Sequence, residues 1–229
     1  AGTDAKMRNT KESILEAQFT SGAGNWCTWM FGRDLVNWNN NFTWAKWVTP
    51  SRDLISAFKQ EGDEVRFKES IVYYDCNWSN YYPSDNYPFM YKCRSANSSI
   101  IKYRYADVLL LKAEALIMQD TPDLEGAADI IDKVRDRAKL GALPTSVRSN
   151  KNVLLNALLK ERRLELAFEG QRWFDLVRLD KVEEVMNAVY AKDSGRKAQI
   201  YTFDKNSYRL PIPQSVIDAN DKIHQNPGY

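Results

Sequence analysis

The stretch that most restricts the fold runs from Tyr103 to Gln119, YRYADVLLLKAEALIMQ. Apolar or small side chains recur there at helical spacing, which predicts an α-helix with a buried face. These side chains are Ala106, Leu109, Leu110, Ala113, Leu116 and Ile117. The alanines among them allow a second helix to approach closely. A chain with this pattern is expected to build its core from packed helices.

A partner for this helix follows after a short turn. Thr121 and Pro122 are predicted to cap and start the partner, and Gly141 is predicted to close it. The two segments therefore predict an antiparallel helical hairpin.

Two more helices are expected further along the chain. A third runs from about Asn152 to Phe168 and ends at Gly170, and a fourth covers residues 171–190 as one segment. Successive short-linked pairs of this kind are typical of a tetratricopeptide-like stack, although two pairs give no convincing sequence period. The expected class is mainly α, with tetratricopeptide-like hairpins beside a loop-rich aromatic lobe.

The first 99 residues differ in character from the rest. Residues 14–20 alternate apolar and polar side chains, which predicts a short half-buried strand. Residues 49–58 predict a helix with Thr49 as the N-cap and Pro50 in the first turn.

Little regular structure is expected elsewhere in that region. Residues 21–48 and 61–99 carry many glycines, asparagines and prolines without a clear period, which favours long structured loops. The predicted organisation is a variable, ligand-binding lobe over residues 1–99 and a helical scaffold with an extended tail over residues 100–229.

The charge balance excludes some classes of partner. Lysine and arginine number 32 against 30 aspartates and glutamates, so neither nucleic acid nor an anionic membrane surface is an expected partner. With one histidine and three widely spaced cysteines, the chain predicts no metal site. No cofactor and no catalytic residue are predicted.

Tryptophan is concentrated in one short stretch. Five of the seven tryptophans lie between Asn25 and Trp47, interleaved with asparagines. A sugar ring is bound by flat aromatic faces flanked by neutral amides, which stack on its C–H groups and pair with its hydroxyls. The predicted carbohydrate-binding residues are Trp29, Trp38 and Trp44 as preferred platforms, with Trp26, Trp47, Asn39, Asn40, Trp78, Tyr81 and Tyr82. The alternative is that most of these rings pack beneath the loops as small cores.

The segment ERRLELAFEGQRWFD, residues 161–175, concentrates carboxylates and arginines. Glu169 with Arg172, and Arg162 with Glu165, are three residues apart, the spacing of ion pairs on a helix face. We interpret the segment as an ion-pair and hydrogen-bond lattice between the third and fourth helices rather than as an active site.

Five segments together resemble one known family. They are NTKESILEAQFT, IIKYRYADVLLLKAEAL, AADIIDKVRDRA, KERRLELAFEGQRWFDLVRLDK and LPIPQSVIDANDKIHQNPGY, in that order. This set is similar to the SusD/RagB family, the outer-membrane nutrient-binding lipoproteins of Bacteroidetes. The resemblance covers about residues 9–229, and it places the family's lipid-anchored cysteine and first helical repeats outside this chain.

The resemblance implies a binding protein rather than an enzyme. Members of the family capture oligosaccharides on the extracellular face of the outer membrane and act as a lid on a TonB-dependent, SusC-like transporter. Some relatives bind peptides, so a peptide ligand is one alternative. A helical glycosidase using a carboxylate pair such as Asp34 and Asp75 is another, although no motif fixes such a pair.

Overall fold

The computed structural model describes residues 9–19, 49–76, 80–92, 99–192 and 202–229. The described chain is mainly helical, as the periodicity predicts. It separates into two compact units, residues 1–172 and residues 173–229. These units do not coincide with the division near residue 99 that composition predicts, and ligand binding by residues 1–99 stays a prediction.

The first unit contains four short strands and six helices within its described residues. The strands are β1 (Ser13–Ala17), β2 (Ile71–Tyr74), β3 (Tyr87–Met90) and β4 (Ile100–Arg104). The helices are α1 (Arg52–Glu61), α2 (Glu64–Ser70), α3 (Tyr105–Met118), α4 (Leu124–Arg137), α5 (Thr145–Arg148) and α6 (Lys151–Glu165).

The helical hairpin predicted from residue 103 onward is present. Helices α3 and α4 pack against each other, and α6 packs against both. Their shared core is made of aliphatic and alanine side chains, and Leu110, Ala113, Ile131 and Leu158 are completely buried. The small alanine side chains let the helix axes approach, so that leucines and isoleucines of three helices interdigitate.

The caps of α4 differ from the prediction. Asp123, rather than Thr121, is the N-cap, and its carboxylate accepts a hydrogen bond from the Gly126 backbone N–H at 2.9 Å. The helix ends at Arg137, four residues before the predicted stop at Gly141. An aspartate satisfies the free N–H groups of the first turn and also complements the helix dipole, which explains its position.

Helix α1 begins after Ser51, not after Thr49 as predicted. The Ser51 hydroxyl accepts a hydrogen bond from the Leu54 backbone N–H at 3.1 Å, and Gly62 closes the helix with a left-handed φ of 69°. Pro50 therefore precedes the cap instead of occupying the first turn.

Two antiparallel ribbons account for the strands. β1 pairs with β4, and β2 pairs with β3 in the register Ile71↔Met90 to Tyr74↔Tyr87. The prediction of β1 is confirmed, but its half-buried face is wrong, because Ile14 and Leu15 are 57% and 53% exposed. The prediction that residues 61–99 lack regular structure is also wrong, since α2, β2 and β3 lie there. These elements are four to seven residues long and depend on tertiary packing, which leaves little periodic signal.

The second unit is described by itself. Its helices are α7 (Arg172–Arg178), which begins at the last residue of the first unit, α8 (Val182–Lys192) and α9 (Gln214–Asp218), with a 3₁₀ turn at Lys205–Tyr208. The single fourth helix predicted over residues 171–190 is therefore wrong. Asp180 has a positive φ of 53°, which breaks the helical path between α7 and α8.

Side chains of the final residues hold the extended tail. The Gln225 amide donates to the Ile212 carbonyl at 3.0 Å and accepts from the Ile212 N–H at 2.8 Å. The Asn226 amide donates to the Leu210 carbonyl at 2.6 Å. In the part of the chain that the structure describes, no helix is both long enough and apolar enough to cross a bilayer.

Adjacent leucines of α3 test the packing of the hairpin. Leu110 is completely buried and Leu111 is 38% exposed. In this 229-residue chain, we expect Leu110→Ala to lower the free energy of unfolding by about 2–5 kcal/mol, because it leaves a cavity between three helices. Leu111→Ala removes the same atoms from a partly solvated site and is expected to cost much less. Urea unfolding of both variants checks this, and equal losses would contradict the assigned face of α3.

Candidate carbohydrate-binding site

Two of the predicted ligand-binding residues, Tyr81 and Tyr82, fall in the described chain, in the turn before β3. Their rings are in edge contact, with centroids 5.0 Å apart and planes at 87°. Both side chains are partly buried. The remaining predicted residues, Trp26, Trp29, Trp38, Asn39, Asn40, Trp44, Trp47 and Trp78, lie outside the described residues, as does Asp34.

Tyr82 is held from several sides. Its hydroxyl donates a hydrogen bond to the Pro50 carbonyl at 2.8 Å. Its ring also meets the Tyr87 ring edge-on, with centroids 5.6 Å apart. Tyr82 therefore contributes packing area and a fixed orientation, and both Tyr81 and Tyr82 pack against the buried cluster of Cys76, Tyr87 and Phe89.

Arg52 joins the two tyrosines to the start of α1. The carbon at the centre of its guanidinium lies 4.1 Å from the Tyr81 ring centroid and 4.4 Å from that of Tyr82. The same guanidinium donates a hydrogen bond to the Tyr81 carbonyl. A cation over two aromatic faces attracts both rings and limits their rotation. We call Arg52, Tyr81 and Tyr82 the tyrosine corner.

Sequence reasoning did not find Arg52. It follows the N-cap of α1 and lies 29 residues before Tyr81 in the chain. Neither periodicity nor a local motif indicates that the two segments meet. The signal that was present, a pair of tyrosines among Asn80 and Asp85, identified only the aromatic partners.

Polar side chains at the tyrosine corner suit hydroxyl groups. Asn80 and Asp85 flank the two tyrosines and are exposed. An amide both donates and accepts hydrogen bonds, and a carboxylate accepts them, so together they complement a sugar's hydroxyl rim. Among the described residues, no group of three or more His, Cys, Asp or Glu is placed to hold a metal ion.

The elements that carry the tyrosine corner rest on α6. Phe58 of α1 and Ile71 of β2 share a buried cluster with Leu164 of α6, and Tyr82 packs against that cluster. Asp53 of α1 also forms an ion pair with Arg163 of α6, at 2.6 Å. The position of the corner therefore depends on α6.

Two buried carboxylates of α6, Glu161 and Glu165, face arginines from other elements. Arg66 of α2 contacts Glu161 at 2.6 Å and Glu165 at 3.1 Å, and it also pairs with Asp63 at the start of its own helix. Arg135 of α4 contacts Glu161 at 3.4 Å. Helix α6 is thereby tied to α2 and α4 through charged groups as well as apolar contacts.

Arg104, at the end of β4, makes the densest set of contacts. Two N–H groups of its guanidinium donate hydrogen bonds to the two carboxylate oxygens of Glu169, at 2.7 and 2.9 Å. It also contacts the Glu165 carboxylate at 2.7 Å and the Glu12 carboxylate at 2.9 Å. Bidentate pairing of this kind fixes direction as well as distance.

The remaining cations complete the charge balance. Lys92, just after β3, pairs with Glu169 at 2.5 Å and donates to the Glu165 carbonyl at 2.7 Å. Arg137 pairs with Glu165. The connected group, here called the carboxylate lattice, comprises Glu12, Glu61, Asp63, Glu161, Glu165 and Glu169 with Arg66, Lys92, Arg104, Arg135, Arg137 and Lys160.

The lattice confirms that residues 161–175 form an ion-pair network, but it connects different elements from those expected. The predicted pairs were three residues apart within the segment, whereas Arg162 pairs with Asp107 of α3 at 2.8 Å. Glu165 and Glu169 pair with cations from β4, from α4 and from the end of the β2–β3 ribbon. The ion pairs therefore tie α6 to α2, α3, α4 and β4. One hydrogen bond, from the Arg172 guanidinium at the start of α7 to the Leu159 carbonyl at 3.1 Å, joins α6 to the next helix as predicted.

The pKa values follow from these contacts. Burial raises the pKa of Glu165, but the charges of Arg104 and Arg137 outweigh burial and lower it to about 2. Burial also opposes ionisation of Glu169, yet Lys92 and Arg104 hold the pKa of that carboxyl below its ordinary value. Burial raises the pKa of Glu161, and the neighbouring charge of Glu165 adds to this. Carboxyls paired in this way are occupied with structural contacts.

The comparisons with known proteins agree with this architecture. The profile of the SusD family matches residues 82–229, well over half of the chain. The chain belongs to the SusD family. A SusD-like protein of Formosa agariphila is 36% identical over 143 residues, which make up 59% of this chain and 27% of that protein.

Solved structures share the fold. Surface glycan-binding protein A from Bacteroides thetaiotaomicron superimposes with a TM-score of 0.70 at 19% identity, over 98% of this chain and 54% of its own. A laminarin-binding SusD-like protein gives a TM-score of 0.63 at 25% identity, over 98% of this chain and 51% of its own. This chain thus spans about a quarter of the Formosa relative and about half of each solved relative.

Removing the charge of Glu165 tests the lattice. Glu165→Gln keeps the shape of the side chain but leaves Arg104 and Arg137 with an uncharged partner. We expect it to lower the free energy of unfolding at neutral pH by about 3–5 kcal/mol, the usual result of breaking a buried ion pair.

The control is Glu64→Gln, which breaks the solvent-exposed pair of Glu64 with Lys68. This substitution is expected to leave the free energy of unfolding almost unchanged, because water and salt screen exposed pairs. Urea unfolding of both variants gives the comparison. A Glu165→Gln variant as stable as Glu64→Gln would contradict a structural role for the lattice.

Proposed function

We propose that the protein containing this chain binds oligosaccharides at the cell surface without cleaving them. The observation that carries the proposal is membership of the SusD family together with aromatic and amide-rich segments in the first hundred residues. The tyrosine corner supplies ordered aromatic faces beside exposed Asn80 and Asp85. The names of two structural relatives, a surface glycan-binding protein and a laminarin-binding protein, support the same ligand class.

Binding rests on stacking and hydrogen bonding in this proposal. Trp29, Trp38 and Trp44 are the preferred stacking platforms, with Trp26, Trp47, Trp78, Tyr81 and Tyr82 as further aromatic contacts. Asn39 and Asn40 pair with sugar hydroxyls. Flat aromatic rings suit the C–H face of a sugar because this face has little charge and releases water on contact.

The absence of catalysis is part of the proposal. Glu165 and Glu169 are paired with arginine or lysine, and their pKa values are lowered, which makes them poor proton donors. Burial raises the pKa of Glu161, but this residue is only 2% exposed and is paired with Arg66 and Arg135. A glycosidase needs one carboxyl of raised pKa about 5–9 Å from a second across the glycosidic bond. Asp75 is exposed, and a cleavage assay of an Asp34→Asn variant tests a catalytic role for it with Asp34.

Delivery is the second half of the proposed function. We propose that the intact protein is held at the extracellular face of the outer membrane by an N-terminal lipid anchor. There it passes its oligosaccharide to a TonB-dependent, SusC-like transporter. Family membership supports this arrangement, and copurification of the tagged intact protein with such a transporter from outer-membrane extracts tests it.

Titration calorimetry with a panel of oligosaccharides, including laminarin fragments, tests the ligand. We expect the intact protein to bind at least one of them and the triple variant Trp29→Ala/Trp38→Ala/Trp44→Ala to bind at least about tenfold more weakly, a loss of about 1.4 kcal/mol. The control is Phe174→Ala, which removes an aromatic ring that is 65% exposed in the second unit and is expected to leave affinity unchanged.

Four outcomes would contradict the proposal. The intact protein could fail to bind any glycan of the panel, or Phe174→Ala could weaken binding as much as the triple variant. Release of shorter sugars, abolished by Asp34→Asn, would instead show a glycosidase. Displacement of a bound oligosaccharide by peptides would indicate the peptide-binding alternative.

A further inference from the structure

We propose that the tyrosine corner selects uncharged oligosaccharides over those that carry carboxylate or sulfate groups, and that Asp75 and Asp85 set this preference. Both aspartates are exposed and lie close in the chain to the two tyrosines of the corner. The preference rests on the carbohydrate binding proposed above, because it names the class of glycan that the same site accepts.

The segment around the tyrosine corner carries negative charge only. Residues 69–91 include β2, both tyrosines and β3, and they contain Glu69, Asp75 and Asp85 but no lysine, arginine or histidine. The whole chain, in contrast, has a formal net charge of +2. A ligand that approaches this segment therefore meets negative charge, although the protein as a whole is slightly positive.

A backbone hydrogen bond joins the positions of the two aspartates. The Cys76 N–H, directly after Asp75, donates to the Ser84 carbonyl, directly before Asp85, at 2.6 Å. This bond extends the β2–β3 ribbon by one contact, so the aspartates lie side by side at the base of the loop that contains both tyrosines. Like charges on adjacent strand segments repel each other, so the stability of the ribbon does not account for the pair.

The positive charge at the tyrosine corner is directed at the protein itself. The guanidinium of Arg52 lies over both rings of the corner and donates a hydrogen bond to a backbone carbonyl. The next residue, Asp53, pairs with Arg163 of α6 at 2.6 Å. These three residues are partly buried, whereas Asp75 and Asp85 are exposed, so the two carboxylates are the charges that a ligand meets.

An exposed pair of carboxylates suits hydroxyl groups and opposes anions. An ionised carboxylate only accepts hydrogen bonds, and the hydroxyls of a neutral sugar donate to it. Hydrogen bonds to a charged acceptor are stronger than those between neutral groups. A uronate or sulfate group brings a further acceptor and a further negative charge, so it gains no hydrogen bond and is repelled. Like-charge contact of this kind is a general way to reject unsuitable ligands.

Matched pairs of ligands test the preference in the intact protein. Laminari-, cello- and malto-oligosaccharides are each used in two forms, neutral and with the C6 hydroxyls oxidised to carboxylates. The two forms share length and linkage and differ in charge. Titration calorimetry gives the ratio of their dissociation constants for wild type and for Asp75→Asn/Asp85→Asn, which keeps the shape of both exposed side chains.

We expect wild type to bind the neutral form at least about tenfold more tightly than the oxidised form at about 20 mM salt, and to lose most of this preference at about 500 mM salt, where exposed charges are screened. In the double variant, the preference at low salt is expected to fall to about twofold or less, because the repelling charges are gone. The control is Asp218→Asn/Asp221→Asn, which removes two exposed charges from the second unit and is expected to keep the wild-type ratio.

The outcomes separate the preference from glycan binding itself. Wild type that binds the oxidised form as tightly as the neutral form, or a double variant that keeps the wild-type ratio, would overturn the preference and leave the proposed glycan binding intact. A control that loses the ratio as fully as the double variant would also overturn the assignment to Asp75 and Asp85. If no oligosaccharide binds in either form, glycan binding is refuted and the preference with it.

Discussion

The first unit depends on the ion pairs that Glu165 forms. Its carboxylate lies in the interior of the unit and receives Arg66 from α2, Arg104 from β4 and Arg137 from α4. An isolated buried carboxylate would be expelled or protonated. Arg104 and Arg137 instead keep it ionised, with its pKa lowered to about 2.

The ion pairs fix the relative positions of the helices and strands more than they add net stability to the fold. Removing charges from water costs several kcal/mol per ion, about as much as the attraction returns, so buried pairs contribute little net stability but penalise wrong arrangements. Helices α2 and α4 and strand β4 each bring an arginine to the carboxylates of α6, so each element must lie where its arginine can reach them. The turn after α6 adds Glu169 as a further partner for Arg104. These ion pairs also help to fix the position of the tyrosine corner, because Tyr82 packs against a cluster that includes Leu164, the residue beside Glu165.

The same construction suits the proposed binding function. Helices α3, α4 and α6 form a frame whose apolar core is built from leucine, isoleucine and alanine. The aromatic and amide-rich segments lie in the part of the sequence where periodicity is lost. A rigid frame lets such segments vary with the ligand while the fold stays the same. The low identities and shared fold of the solved relatives agree with this separation.

The sequence predicted those features that repeat locally. The period of Leu110, Ala113 and Ile117 indicated α3 and its buried face, and a family resemblance extended this to the whole helical part. The contact of Arg104 with Glu165 joins positions 61 residues apart, and no local spacing encodes it. The break at Asp180 was missed because the side chains on both sides of it keep a helical pattern, and only the backbone angle differs.

The proposed tryptophan-based site shows a different limit of sequence-based prediction. Composition identifies side chains that can stack on sugars, but it does not tell which rings face solvent, since the same rings also make good cores. Tyr82 illustrates this, because its ring and hydroxyl are engaged within the protein.

The most direct measurement compares wild type with Glu165→Gln by urea unfolding at a series of pH values. The pKa of Glu165 is lowered from 4.5 to about 2 in the folded protein, so its stabilisation is complete above pH 4.5 and is lost as the pH falls toward 2. The predicted result is a stability difference that stays constant above that pH and shrinks by about 3 kcal/mol below it. If the difference in unfolding free energy between wild type and Glu165→Gln does not change between pH 4.5 and 2, the claim that an ionised Glu165 holds the first unit together is contradicted.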